Sequence, residues 1–166
     1  VSDFRPISLP HSPSKIFAKL LAVRVGPFMK DLVTFNQSAF IKGRCLHDNF
    51  LLVKQVAKKI TSRKCKGVFL KLDISFAFDS LSWPFLFEVL KAKSFGHRMI
   101  KWQSILMQTA STHILVNGMP GRSIIHAQGL RQGDPISPSL FVIAMDALTT
   151  TVSRASEEGV LSSFRG

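Results

Sequence analysis

The chain has few of the features that mark a secreted, membrane or zinc-binding protein. Its two cysteines, Cys45 and Cys65, lie far apart, and it has no Cys-x-x-Cys or His-Glu-x-x-His spacing. Neither a disulfide framework nor a zinc site is therefore indicated. No charged and then apolar leader opens it, and no run reaches the roughly 20 apolar residues of a membrane span. We expect an intracellular protein that makes no use of a membrane.

Acidic residues are also scarce, with 10 Asp and Glu against 22 Lys and Arg and a net charge of +12. Residues 1–66 hold 13 basic and 3 acidic residues (+10), whereas residues 67–166 hold 9 and 7 (+2). A basic region favours a phosphate backbone as partner, because neutralising phosphates releases counterions. A solvated basic face that binds nothing is the alternative that charge alone leaves open.

Repeats, low-complexity tracts and linkers are absent, so 166 residues with 46% hydrophobic content predict one continuous core. The chain opens at Val1 rather than Met and stops at Gly166 without a closing element, and we interpret it as a fragment.

Apolar spacing predicts helices over residues 14–25, 46–60, 82–96 and 140–152, a strand over 68–73, and a hairpin of 113–116 with 123–126. The first two helices are basic and amphipathic. Their predicted inward residues are Ile16, Phe17, Leu20 and Leu21 in the first, and Leu52, Val53, Val56 and Ile60 in the second. Such elements predict an α+β fold in which an antiparallel sheet packs on helices.

Asp73 follows the apolar residues Leu70 and Leu72 at the end of the predicted strand, on the opposite face. A carboxylate there could hold a cation, because polynucleotide synthesis commonly uses two Mg²⁺ about 4 Å apart with oxygen ligands. From the residues alone, a cap or turn role is the alternative.

Four segments, in order, resemble motifs of the reverse transcriptases of LINE-type (non-LTR) retrotransposons, especially plant ones. They are FRPISL at 4–9 with Lys15-Ile16, NQSAF at 36–40 with Gly43-Arg44 and Asp48-Asn49, LKLDISFAFDS at 70–80, and GLRQGDPISP at 129–138 with Leu140-Phe141 and Ala144-Met145-Asp146. The first two are similar to fingers motifs and the last two to palm motifs. The resemblance implies a fingers part over 1–66 and an incomplete palm over 67–166.

The resemblance also implies roles for individual residues. Asp73 would be a metal ligand, with the carbonyl oxygen of Ile74 as a second. Phe78 would lie under the sugar of the incoming nucleotide and exclude a 2′-hydroxyl, although a core position is the alternative. Gln132 and Gly133 would lie in a loop beside the nucleotide.

Basic residues would bind phosphates. Arg5 is expected at the triphosphate, since a guanidinium binds phosphate oxygens bidentately. Lys15, Lys42 and Arg44 are expected on the nucleic-acid backbone, with little sequence choice. In the second palm motif, Asp134 is expected to serve as a helix cap, and Asp146 to accept a buried hydrogen bond.

The implied activity is an RNA-directed DNA polymerase that adds dNTPs to a DNA primer on an RNA template with two Mg²⁺, in the nucleus. The adjacent Asp-Asp pair of the family's third palm motif does not occur in this sequence, and we expect that motif and the thumb beyond Gly166. This piece alone is then inactive. Phe76 also stands where most relatives carry Lys. The alternatives are an inactive retrotransposon remnant and a non-catalytic basic nucleic-acid-binding module.

Overall fold

The computed structural model describes residues 12–64 and 69–161 of the chain. The elements in order are α1 (Ser12–Val25), a 3₁₀ turn (Gly26–Phe28), α2 (Met29–Leu32), α3 (Leu46–Ser62), α4 (Trp83–Ala92), α5 (His97–Gln108), β1 (Ser111–Val116), β2 (Met119–Ile125) and α6 (Ser137–Glu157). The predicted mixture of helices and antiparallel strands is confirmed, and all four predicted helices form. α5 was not predicted.

The core lies between α1, α4 and α6. Its fully buried side chains include Leu86 and Leu90 of α4 and Leu140 and Ile143 of α6. Ala18, Leu21 and Val25 of α1 belong to the same apolar cluster, as do Met29 and Val33. The basic N-terminal part therefore shares one core with the rest of the chain.

The buried faces of two helices differ from those predicted. In α1, Ile16 and Leu20 are exposed, whereas Ala18 and Val25 are buried. α3 buries none of its residues, and Leu52 is 56% exposed. Helical spacing correctly predicted an apolar stripe in both cases, but burial needs a partner surface, and α3 has none that covers it within the described chain.

The predicted hairpin forms, with a tighter turn and longer strands than expected. Asn117 and Gly118 connect β1 to β2, and both have positive φ, as a two-residue hairpin turn requires. The strands are antiparallel, with Val116 opposite Met119 and Ser111 opposite Ile125. Every residue of both strands is exposed, so the expected packing of this sheet on helices is not observed.

The strand predicted over 68–73 is wrong for its described part, since residues 69–74 have no regular secondary structure. β1 and β2 form the one sheet within residues 12–64 and 69–161, so this segment has no strand beside it. A strand without hydrogen-bonded neighbours is not stable alone. Among the described helices, none is long and apolar enough to cross a membrane.

Candidate active site

The segment that carries Asp73 ends in a compact turn. The amides of Asp79 and Ser80 both donate to the carbonyl oxygen of Phe76, at 2.8 Å each. Phe76 itself has a φ of 52°, which is unusual for a bulky residue. Asp73 and Ile74 lie just before this turn and are exposed. The Asp73 carboxylate, at the end of an exposed side chain, is therefore accessible to a ligand.

The loop of the second palm motif lies directly against this turn. The amide of Gly129 donates to the carbonyl oxygen of Leu81 at 2.8 Å, and the amide of Leu130 donates to that of Phe78 at 2.7 Å. Trp83, at the start of α4, completes the contact, because its indole Nε1 donates to the carbonyl oxygen of Gly129 at 2.7 Å. Three hydrogen bonds thus join the second palm motif to residues 78–83, at the end of the first palm motif and just after it, some fifty positions earlier in the chain.

Gly129 cannot be replaced without cost at this contact. Its φ is 86°, and a Cβ there would lie 2.7 Å from the carbonyl oxygen of Asp79. A separation below 3 Å between a Cβ and a backbone atom forces one of the two segments to move. Glycine therefore allows the loop to approach the turn.

Phe78 faces the helix that follows the loop. Its ring stacks on that of Phe141 in α6, with centroids 4.7 Å apart and an interplanar angle of 16°. It is only partly buried and packs against the main core cluster. Phe78 therefore packs at the edge of the core, which was the alternative considered from the sequence. This packing restricts the orientation of its ring.

Gln132 and Asp134 lie along a cavity of about 350 Å³ between the loop, α5 and the hairpin. Gly133 has a φ of 97° and is exposed. Gln103 of α5 also lines this cavity, and its Oε1 is buried without a hydrogen-bond partner. Sequence reasoning missed both Gln103 and Trp83, because each acts through a residue distant in the chain and no local motif marks either.

Asp134 was expected to cap α6, but this helix begins at Ser137 with Ile136 at its N-cap and no side-chain cap hydrogen bond. The predicted cap is therefore wrong, and Asp134 lies before the helix. Its carbonyl oxygen accepts from the amide of Ser137 at 3.2 Å. Burial raises the pKa of the Asp134 carboxyl, against the opposing charge of Arg131 and a hydrogen bond from the Ile136 amide. Its Oδ1 is buried and has no partner. Burial therefore disfavours the ionised form of this carboxyl more than Arg131 and the Ile136 amide favour it.

The described residues fit a divalent metal only in part. Asp73 offers a hard oxygen, which is the donor type that Mg²⁺ prefers. No three His, Cys, Asp or Glu side chains lie close enough together within 12–64 and 69–161 to hold a metal ion. A metal pair needs several oxygen ligands, so Asp73 and its neighbours do not complete such a site by themselves.

The predicted phosphate-binding residues lie in different surroundings. Lys15 and Lys42 are exposed, whereas Arg5 lies outside the described residues. The Arg44 guanidinium binds backbone carbonyl oxygens of the chain itself. Its Nη1 donates to those of Thr34 (2.7 Å) and Gln37 (2.6 Å), and its Nη2 donates to that of Lys30 (3.0 Å). Arg44 therefore stabilises the loop between α2 and α3.

Asp146 accepts buried hydrogen bonds, as expected. Its Oδ1 accepts from the amide of Thr34 at 2.8 Å, and its Oδ2 forms an ion pair with Lys93. Burial opposes its charge, but the hydrogen bonds from Lys93 and Thr34 and the Lys93 charge together lower the pKa of Asp146. Asp146 lies outside the candidate site and connects α6 to α4 and to the segment after α2.

Comparison with known proteins agrees with the resemblance of the motifs. The chain is 33% identical over 87% of its length to the Pol polyprotein of a type-1 retrotransposable element R2 from Nasonia vitripennis. It is 29% identical over 90% to that of the type-2 element R2DM from Drosophila melanogaster, and 27% identical over 88% to a 149 kDa protein of transposon TX1 from Xenopus laevis. It spans 11% to 14% of the length of these relatives.

The family model described as reverse transcriptase (RNA-dependent DNA polymerase) matches residues 1–162. This match includes the Asp73 turn and the Gly129 loop that the fold brings together. The chain therefore belongs to the reverse transcriptase family, as its 33% identity to the Pol polyprotein of a retrotransposable element also indicates.

Proposed function

We propose that this chain acts within a complete protein as part of an RNA-directed DNA polymerase. The observation that carries the proposal is the contact of residues 78–83, which include the end of the turn and the start of α4, with the loop at Gly129 and Leu130. It brings the segment that carries Asp73 close to the loop that carries Gln132 and Gly133. A polymerase needs this proximity, because the metal ligands and the nucleotide-binding groups must act on one triphosphate.

Asp73 and the carbonyl oxygen of Ile74 are this chain's ligands for Mg²⁺ in the proposal, with further ligands supplied from outside the described residues. The exposure of both residues supports this role. When bound, divalent ions neutralise negative charge on the reacting phosphates. Asp73 itself would contribute a negative oxygen, and the turn that follows it is closed by the carbonyl oxygen of Phe76.

The dNTP would lie between the turn and the loop. Gln132 and Gly133 would contact it from the loop, where the positive φ of Gly133 lets the backbone approach closely. Phe78 would exclude a ribonucleotide by its ring, and the stack on Phe141 supports this because a steric barrier must be rigid. Arg5 would bind the triphosphate.

The nucleic acid would be an RNA template with a DNA primer, and the site of action the nucleus. Lys15 and Lys42 are exposed cations that can meet phosphates without reading bases. Arg44 would contribute less than these two, because three of its N–H groups already donate to backbone carbonyls.

The test is Mg²⁺-dependent primer extension on an RNA template by the full protein with Asp73→Asn. We expect extension to be lost while RNA binding and the melting temperature stay at the wild-type values, because Asp73 is exposed and supports no packing. Glu88→Gln, an exposed acid outside the four motifs, is the control and should extend normally. Unchanged extension by Asp73→Asn would overturn the catalytic assignment.

A second candidate, an inactive remnant that at most binds nucleic acid, is favoured by Phe76. This side chain is 68% exposed beside Asp73, at a positive φ that disfavours large residues. Extension by Phe76→Lys but not by the wild-type protein would support the remnant. Salt-dependent RNA binding without extension by either protein would support the binding module.

A further inference from the structure

A large apolar groove lies on a different surface from the candidate active site. It has a volume of about 880 Å³ and lies between α1, the 3₁₀ turn and the first half of α5. Four aromatic rings line it: Phe17, Phe28, Phe95 and Trp102. None of its lining residues belongs to the Asp73 turn or the Gly129 loop, so the groove is not an extension of the nucleotide site.

Two of these rings form a stacked pair that remains accessible. Phe17 and Trp102 lie with centroids 4.6 Å apart and an interplanar angle of 17°. Trp102 keeps 44% of its surface exposed, and Phe28 keeps 62%. Aromatic surface of this extent costs free energy in water unless a ligand covers it.

The groove is also cationic along its length. Arg24 and Arg98 line it, against the single acid Asp31. Lys93 also lines it, but its charge is paired with Asp146. No ion pair or hydrogen bond engages the side chains of Arg24 and Arg98 in the part of the chain that the structure describes.

The same surface continues along α5. A second depression of about 580 Å³ shares Phe17, Arg98 and Trp102 with the groove and adds Lys101 and Ile105. Cations and rings therefore follow one another along an elongated track rather than around a closed pocket. An elongated track suits a chain-like ligand.

We propose that this groove binds an unpaired stretch of nucleic acid. Proteins hold single strands by combining aromatic rings, on which bases stack, with cations that follow the phosphates, and both are present here. A duplex is excluded as the ligand, because its bases are already stacked on each other. An apolar peptide would use the rings but leave Arg24 and Arg98 without partners, whereas a nucleic acid strand supplies bases for the rings and a phosphate charge at every nucleotide.

In a polymerase, this groove would hold the unpaired template outside the active site. Only this identification of the strand as template rests on the proposed function. Binding can be measured without nucleotide, metal or primer. The two proposals therefore fail separately.

The experiment uses the protein that carries this chain and a labelled single-stranded oligouridylate containing 5-iodouridine. We expect light-induced crosslinks to map to α5 at Trp102. In anisotropy titrations, Arg24→Gln with Arg98→Gln should weaken binding and reduce the slope of log affinity against log salt by about 1.4, which is about 0.7 for each phosphate that is no longer neutralised. Lys54→Gln with Lys58→Gln, two exposed cations of α3, is the charge-matched control and should keep the slope.

Trp102→Leu tests the stacking component while retaining an apolar side chain against Phe17. Affinity should fall about tenfold, in line with a stacking contribution of about 1–3 kcal/mol per base, with the melting temperature unchanged. The groove assignment would be overturned if both groove variants kept the wild-type affinity and salt slope, or if crosslinks mapped only outside α1 and α5. A protein segment would then be the remaining candidate for the groove. If the wild-type protein does not extend a primer but still crosslinks at Trp102, the polymerase proposal is overturned and the groove assignment stands.

Discussion

At the scale of single residues, the ion pair of Lys93 and Asp146 connects three segments of the fold, although it lies outside the candidate site. Lys93 Nζ donates to the carbonyl oxygen of Leu32 at 2.6 Å as well as to Asp146. Asp146 in turn accepts from Thr34. The pair therefore joins α4 and α6 to the segment after α2, and the Asp146 side chain is 1% exposed.

We expect Asp146→Asn to lower the free energy of unfolding by about 3 kcal/mol at pH 7, because it leaves Lys93 without its counter-charge in a mostly buried site. The lowered pKa of Asp146 sets the pH dependence. Its ionised form stabilises the fold above the unfolded pKa of about 4, and this contribution is lost as pH falls through the lower folded pKa. The difference between variant and wild type should therefore shrink below about pH 4.

Urea unfolding at pH 7, 5 and 3 measures this difference. The control is Glu88→Gln, which breaks the exposed Lys91–Glu88 pair at 2.8 Å and should cost less than about 0.5 kcal/mol. Equal costs for the two substitutions at pH 7 would contradict the role assigned to Asp146.

Gly129 gives a second prediction at this scale. Gly129→Ala should cost about 3 kcal/mol, because the left-handed φ costs about 1–2 kcal/mol and the new Cβ would meet the Asp79 carbonyl at 2.7 Å. Gly159→Ala is the matched control, since Gly159 has a φ of 76° but nothing within 4 Å of its Cβ position. Urea unfolding of both variants separates the two effects. If they cost the same, the close approach has no energetic consequence.

At the scale of elements, the contact between the Asp73 turn and the Gly129 loop depends on where α4 begins. Ser82 and Pro84 start this helix, as the sequence predicted, with Pro at its first turn. That start places Trp83 at the first helical position, 9% exposed, with its indole toward Gly129. A local helix signal thus positions a long-range hydrogen bond.

We expect Trp83→Phe to raise the hydrogen-exchange rates of the Gly129 and Leu130 amides about fivefold. The ring is retained, but the indole donor is lost, which corresponds to about 1 kcal/mol for one hydrogen bond. Phe85→Leu, on the same helix but 46% exposed, should leave these amides unchanged. Mass-spectrometric or NMR exchange measures both. Equal protection in Trp83→Phe would show that the two backbone hydrogen bonds alone join the segments.

At the scale of the whole molecule, apolar surface is divided unevenly. Leu86 and Leu90 of α4 and Leu140 of α6 are fully buried, whereas α3 leaves Leu46, Phe50 and Leu52 exposed. Burial, not helical spacing, determines how much a leucine stabilises the fold. The two helices therefore give a test of which part of the chain forms the stable core.

Leu86→Ala in α4 should lower the free energy of unfolding by about 2–5 kcal/mol, since this side chain is fully buried. Leu52→Ala in α3 should change it by less than about 0.5 kcal/mol, since 56% of Leu52 is already exposed. Circular dichroism should show the same helix content for both. A large loss for Leu52→Ala would mean that α3 packs on a surface in solution.

The family, the order of its motifs and most helix positions could be predicted from the sequence. Local signals sufficed for these: Ser82 and Pro84 at the start of α4, Asn117 and Gly118 in the hairpin turn, and the apolar period of α6. Each signal acts within a few residues, because backbone conformation and helix capping are local. The predicted buried role of Asp146 followed from the same reasoning, since an acid within an apolar helix needs a partner.

The tertiary structure alone decided which faces are buried and which residues meet. Trp83 donates a hydrogen bond to Gly129, which is 46 positions later in the chain, and Lys93 donates one to Asp146, which is 53 positions later. The spacing of apolar residues along the sequence does not predict contacts at such separations. The missing strand at 69–74 and the uncovered face of α3 have the same physical reason. A strand needs a neighbour and an apolar stripe needs a partner surface, and the local sequence of either element does not contain them.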